Sequence, residues 1–95
     1  MLKIETFEKH LNSTFSIPFD DGTNIDIVLF NIIKGQFIEA LNIQPFTLEF
    51  KAKPDTILLR QNTYNIKAPD NQDFALLLIP RSSNEEGHTY DCNIG

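Results

Sequence analysis

The stretch that most constrains the fold is a run of apolar residues, Phe74-Ala75-Leu76-Leu77-Leu78-Ile79-Pro80. Polar residues bound this run on both sides, at positions 70–73 and 81–83. Seven residues are few for a helix, and a proline at the last position would end one. A short apolar run between polar breakers is typical of a strand with little exposure on either face. The sequence therefore predicts a buried strand over residues 73–80, against which the other segments pack.

Alternation of apolar and polar residues predicts further strands that each bury one face. Segments 15–19, 46–51, 63–67 and 89–94 alternate in this way, whereas residues 24–33 alternate at first and then become apolar on both faces. Such a change indicates a bend where a barrel or sandwich closes. Asp21-Gly22 suits a tight hairpin, because glycine accepts a positive φ. Short turns without crossover helices indicate an antiparallel meander.

The remaining segments complete a mainly β prediction. Ile4, Phe7 and Leu11 recur at helical spacing, which predicts a short helix over residues 4–12 with Asn12 as a left-handed cap. Residues 57–59 are predicted to return apolar side chains to the core, and residues 81–88 to form a polar loop in which Gly87 has a positive φ. We therefore expect one domain over residues 1–95, a small antiparallel barrel or sandwich of five to seven strands with a short N-terminal helix.

Charge and composition exclude several classes of function. The net charge is −5, and the few lysines and arginines are scattered among acidic residues. Nucleic-acid binding normally requires a basic patch, so we expect no nucleic-acid partner. No apolar stretch approaches 18 residues, and the N-terminus lacks the apolar region of a signal peptide. The expectation is a soluble, cytoplasmic protein without a membrane partner.

The residues that could carry chemistry have simpler structural explanations. The carboxylates fall in three predicted turns, His10 and His88 lack the spacing of metal ligands, and we expect both histidines to be surface or capping residues. Ser82-Ser83 lacks the Gly-x-Ser-x-Gly context of a nucleophile. The single cysteine, Cys92, is interpreted as a small, half-buried strand residue. We therefore predict no catalytic residue, no metal site and no cofactor, and the chain is not expected to be an enzyme.

The segment between Gly35 and Pro45 is the least regular part of the chain. It contains four large apolar residues outside any predicted strand and reads either as one helical turn or as an irregular strap. These side chains can cap an open end of the barrel or form a contact patch for a partner protein. The candidate partner-binding residues are Phe37, Ile38, Leu41 and Ile43.

The order of several short motifs resembles a small bacterial domain family of unknown function. The motifs are Pro45-Phe46-Thr47-Leu48-Glu49-Phe50, Gln61-Asn62-Thr63-Tyr64, Leu76-Leu77-Leu78-Ile79-Pro80 and Gly87-His88-Thr89-Tyr90. The family has PFSLxF, QGxY, LFLVP and GxxYEAxFN at the corresponding places, and residues 35–44 lie outside the resemblance. Family glycines are replaced here by Asn12 and Asn62, and asparagine is the other residue that best tolerates left-handed backbone.

The resemblance implies a β fold and supplies no catalytic residues. It also implies a context in which members accompany phage-tail-like collar proteins. The expected function is a non-enzymatic protein-interaction or assembly module, as an accessory of a phage-tail-like or surface assembly. The alternative is a small acidic inhibitor or immunity-type protein that masks a basic surface of its partner. In both cases the partner is another protein.

Overall fold

The computed structural model describes residues 2–95, and these form a closed antiparallel barrel of six strands with one short helix near the N-terminus. No helix within this range is both long and apolar enough to cross a membrane. The elements are helix α1 (Ile4–Glu8), strands β1 (Thr14–Pro18) and β2 (Asn24–Lys34), a 3-10 turn (Glu39–Leu41), and strands β3 (Phe46–Ala52), β4 (Asn62–Lys67), β5 (Asp73–Asn84) and β6 (Gly87–Ile94).

The strand order around the barrel is β1-β2-β3-β6-β5-β4, so the predicted meander is wrong at one connection. β3 and β4 are consecutive in sequence but do not pair, because residues 53–61 cross the end of the barrel between them. β4 then closes the barrel against β1 through the single register pair Ser16 and Lys67. Beyond that pair the seam is bridged by side chains, with the rings of Phe19 and Tyr64 6.5 Å apart.

Because neighbouring strands are antiparallel, their connections alternate between two ends of the barrel. Helix α1 and the connections at residues 35–45 and 68–72 lie at one end, which we call the strap end. The connections at residues 19–23, 53–61 and 85–86 lie at the other, which we call the far end. Surface features at the two ends are therefore separated by the length of the strands.

The barrel is filled by the inward residues of all six strands and is closed at each end by a different segment. At the strap end, Phe7 of α1 packs against Phe46 and Phe74, with ring centroids 5.9 and 4.9 Å away. At the far end, Leu59 is buried and its N–H donates to the hydroxyl of the buried Tyr90. Neither closure uses the four apolar residues of the 35–44 segment.

The local backbone signals read from the sequence are confirmed in most places. Gly22 and Gly87 have φ of 87° and 131°, and Asn12 has φ of 67°. The bend predicted in β2 is a register shift between Leu29 and Asn31. The expectation for Asn62 is wrong, since it lies in β4 and is not among the residues with positive φ.

Three boundaries differ from the prediction. The helix is shorter than residues 4–12, and Leu11 is exposed because α-helical geometry ends at Glu8. The strand containing the apolar run is longer, and it alternates between buried and exposed residues because only one face of a barrel strand meets the core. The predicted polar loop 81–88 is a hairpin with a two-residue turn at Glu85-Glu86, so Ser82 and Ser83 lie in β5.

Candidate functional site

The segment of residues 35–44, which we call the strap, continues the β2–β3 pair beyond the end of the barrel. Phe46, the first residue of β3, lies at the strap end and still pairs with both β2 and β6. Past it, the Gly35 N–H donates to the Pro45 carbonyl, and Ile38 and Ile43 form an isolated antiparallel bridge. The strap is thus a two-stranded ribbon, and within residues 2–95 no third strand pairs with it.

Backbone and side-chain hydrogen bonds fix the shape of the strap. The side-chain amide of Gln44 donates to the carbonyls of Gly35 and Pro45, which joins the two arms at the base of the ribbon. At the tip, the 3-10 turn ends at Asn42, whose φ of 51° is left-handed and is tolerated best by asparagine and glycine. Both readings of this segment from the sequence, a helical turn and an irregular strap, therefore describe parts of it.

The apolar side chains of the strap face outward instead of filling the barrel. The exposed fractions of Phe37, Ile38 and Leu41 are 46%, 40% and 64%, and Ile43 is half-buried. A barrel cap would be buried, and the barrel already has its closures in Phe7 and Leu59. These side chains therefore do not fill the barrel, and their role as a contact patch for a partner stays a prediction.

A groove separates the strap from the N-terminal segment. It encloses about 440 Å³ and runs between residues 2–5 on one side and the strap with Lys34 on the other. Phe37 and Ile43 form its apolar wall, while Lys3, Glu5 and Lys34 line its polar side. An apolar patch beside a groove with both signs of charge suits the contact surface of a protein, which has an apolar centre and a polar rim.

A second exposed apolar pair lies at the far end, where the sequence predicted core residues. Of the run 57–59 only Leu59 is buried, whereas Ile57 and Leu58 are exposed by 72% and 46%. The prediction is wrong for Ile57 and Leu58, because this part of the chain is not a strand and only Leu59 is held against the barrel, by the bond from its N–H to the Tyr90 hydroxyl. Adjacent residues of an extended chain point to opposite sides, so the sequence carried a signal for the exposure of Leu58 but none for that of Ile57.

Both histidines are buried, so their interpretation as surface or capping residues is wrong. The Nε2–H of His88 donates to the Thr56 carbonyl over 2.7 Å, and its Nδ1 accepts from the Ser83 hydroxyl over 2.8 Å. A carbonyl can only accept, which requires a proton on Nε2, and in the neutral imidazole this leaves Nδ1 as the acceptor. His88 therefore fastens the 53–61 connection to strands β5 and β6.

His10 packs against the core next to a charged pair. Its ring meets Phe15 edge-on at 5.7 Å, and its Nε2 lies 3.4 Å from a carboxylate oxygen of Asp70, without hydrogen-bond geometry. The same oxygen is 3.5 Å from the Lys9 ammonium. The Gln72 N–H, followed by the nearby His10 and Lys9, lowers the pKa of Asp70. Asp70 is thus held as a carboxylate over this edge of the barrel.

The carboxylates lie in or next to the predicted turns, and two of them, Asp21 and Asp70, accept hydrogen bonds within their own turns. Asp21 accepts from the N–H and hydroxyl of Thr23, and these bonds lower the pKa of Asp21. Asp70 accepts from the Gln72 N–H in the same manner. Across residues 2–95, no three histidine, cysteine, aspartate or glutamate side chains come together as ligands of one metal ion would.

Cys92 is expected to react with thiol reagents only when the protein unfolds. It is buried in β6, and burial raises the pKa of its thiol to about 11. At pH 8 the thiolate, which is the reactive form, is then about one part in a thousand. The rate of labelling by a chromogenic disulfide should rise more than 100-fold in denaturing urea. A fast reaction in native buffer would contradict the burial of this thiol.

The fold and the exposed strap define a small all-β barrel domain with an apolar projection at one end. The chain belongs to the family described as a domain of unknown function (DUF6916), whose sequence profile matches residues 2–94. Comparison with curated proteins gave no match. Comparison with solved structures gave none either. The resemblance drawn from the strand motifs, to a small family of unknown function, is confirmed.

Proposed function

We propose that this domain is a non-enzymatic protein-interaction module that binds a partner protein through the strap. The observation that carries the proposal is the exposure of Phe37, Ile38 and Leu41 on one ribbon. A large apolar side chain contributes about 1.5–3 kcal/mol when it is fully buried. Because these three side chains are partly exposed, burying them in a complex would add a part of that free energy to binding. Adjacent exposed apolar residues of this kind mark interaction sites in soluble proteins.

The rigidity of the strap supports the same function. The bonds from Gln44 and the Ile38–Ile43 bridge hold the apolar side chains in place before any partner arrives. A preorganised surface loses less conformational entropy on association than a flexible loop does. Phe37 is the aromatic member of the patch, and aromatic residues are enriched among those that dominate binding energy.

Replacing Phe37 with aspartate is expected to abolish partner binding and leave the stability of the barrel nearly unchanged. Phe37 is half exposed and contributes nothing to the closure of the barrel, so a carboxylate there stays in water. In the complex the same carboxylate would be buried without a partner, at a cost of several kcal/mol. Urea unfolding gives the stability, and affinity capture from lysate of the source organism gives the binding.

A matched control is available on the barrel wall. Leu77 is as exposed as Phe37 but lies on β5, which pairs with neither β2 nor β3. Leu77→Asp should retain the captured partner. Loss of several kcal/mol of stability in Phe37→Asp, or equal loss of the partner in both variants, would exclude the strap as the binding surface.

The nature of the captured protein separates an assembly module from the inhibitor alternative. An assembly module should retrieve structural proteins in constant stoichiometry, including the tail-like or surface proteins implied by the resemblance. An inhibitor or immunity-type protein should retrieve one basic enzyme and suppress its activity. Mass spectrometry of the captured proteins, followed by an activity assay for any enzyme found, distinguishes the two.

A further inference from the structure

The connection of residues 53–61 holds two apolar side chains outward between two buried anchors. On one side, the Thr56 carbonyl accepts from the ring of buried His88, and the Thr56 hydroxyl and N–H both donate to the Lys53 carbonyl. On the other side, the Leu59 N–H donates to the hydroxyl of Tyr90, 3.0 Å away. Ile57 and Leu58 lie between these anchors, so the connection cannot turn them into the core without breaking buried hydrogen bonds.

A groove lies beside this exposed pair. It encloses about 470 Å³, and Ile57 and Leu58 form one wall. Phe19 and Tyr64, whose rings bridge the seam between β1 and β4, also line it. The Tyr64 hydroxyl donates to the Arg60 carbonyl over 2.7 Å, which fixes this ring against the connection. The groove therefore has an apolar wall that is held in shape by hydrogen bonds independent of the strap.

The far end of the barrel, on which this groove lies, is acidic as a whole. The three connections at the far end carry five carboxylates and two cations, a net charge of −3 out of −5 for the whole chain. Asp21 and Arg60 both line the groove, so its own lining carries one charge of each sign and the excess of carboxylates lies on the rest of the far end. The carboxylates belong to Asp20, Asp21, Asp55, Glu85 and Glu86, and the cations to Lys53 and Arg60.

We propose that the far end is a second docking surface, which binds a basic segment of a partner protein by seating an apolar side chain of that segment against Ile57 and Leu58. The apolar wall supplies the contact area, and the net negative charge of the far end favours lysine and arginine on either side of the seated residue. This surface is separate from the strap, and the inference does not depend on the function proposed for the strap. With both surfaces occupied, the domain would join two proteins at opposite ends of its barrel.

The test uses a random dodecapeptide library displayed on phage and selected on the intact wild-type domain. Selected peptides should carry an apolar residue flanked by lysine or arginine. Isothermal titration of the synthetic peptide should give an affinity that weakens at least tenfold in the double variant Ile57→Ser/Leu58→Ser. The affinity should also fall as salt is raised, and Phe37→Asp should leave it unchanged. Both replaced residues are exposed, so urea unfolding of the double variant should match that of the wild type.

A charge-only variant keeps the test decisive if the double variant does not fold. Asp20→Asn/Asp55→Asn leaves the apolar wall intact and should weaken binding of the same peptide and flatten its salt dependence. The proposal would be overturned if no peptide were selected or if the selected peptides lacked basic residues. It would also be overturned if binding were lost in Phe37→Asp and kept in the double variant. So would a wild-type dimer in light scattering that the double variant lacks, because a second copy would then cover this surface.

Discussion

Replacing Gly87 with alanine is expected to destabilise the domain by about 2–5 kcal/mol, a large part of the 5–15 kcal/mol typical of a small protein. Gly87 begins β6 with φ of 131°, a conformation that side-chain-bearing residues rarely adopt. A Cβ at this position would also overlap the backbone carbonyl oxygen of Ala52 at the end of β3. The atoms nearest the added Cβ all belong to the backbone of Ala52 and Pro54, so no flexible side chain can move to make room for it.

Gly22→Ala is the matched control for this prediction. Gly22 also has a positive φ, 87°, but its added Cβ would meet nothing within 4 Å. Only the conformational cost remains, about 1–2 kcal/mol. Equilibrium unfolding in urea measures both variants. Equal losses of stability would mean that φ alone matters and that β6 does not pass as close to Ala52 as the structure places it.

The second large effect is expected from Phe7→Ala, at about 3–5 kcal/mol. Phe7 is fully buried and joins α1 to the rings of Phe46 and Phe74 at the strap end of the barrel. A helix of five residues has little stability of its own, so its packing holds it in place. Removing the ring therefore leaves a cavity and also releases the helix that closes the barrel.

Leu11→Ala provides the comparison on the same segment. The periodicity of the sequence places Phe7 and Leu11 on one helical face, whereas the structure buries the first and exposes the second. The change at Leu11 should cost less than about 1 kcal/mol. Urea unfolding of the two variants distinguishes the short helix from the longer one that the periodicity predicts. A similar loss of stability in both variants would favour the longer helix, packed through both residues.

The placement of the strap residues outside the barrel was predicted only in part. The sequence singled out Phe37, Ile38, Leu41 and Ile43 because they are apolar and lie outside any strand pattern. It left open whether they fill the barrel or face water. The answer depends on α1 and Leu59, which already close the two ends of the barrel and leave the strap outside. The residues of the 35–44 segment give no indication that other segments close the barrel.

The sequence by itself determined the features that depend on neighbouring residues. The strand alternation around Phe46, Leu48 and Phe50 and the positive φ at Gly22 and Gly87 follow from pleat geometry and from steric limits on φ. Both act over a few residues, so a local pattern is sufficient to predict them.

Only the tertiary structure decided which apolar residues are covered and which strands pair across the barrel. Leu58 and Leu59 are adjacent and chemically identical, yet one is exposed and the other buried. The difference arises because the Leu59 N–H meets the hydroxyl of Tyr90, 31 positions away in sequence. His88 is buried for a similar reason, since its ring donates to the Thr56 carbonyl of the same connection, 32 positions away. Burial depends on surfaces that distant segments bring together, so the pattern around a residue cannot determine it.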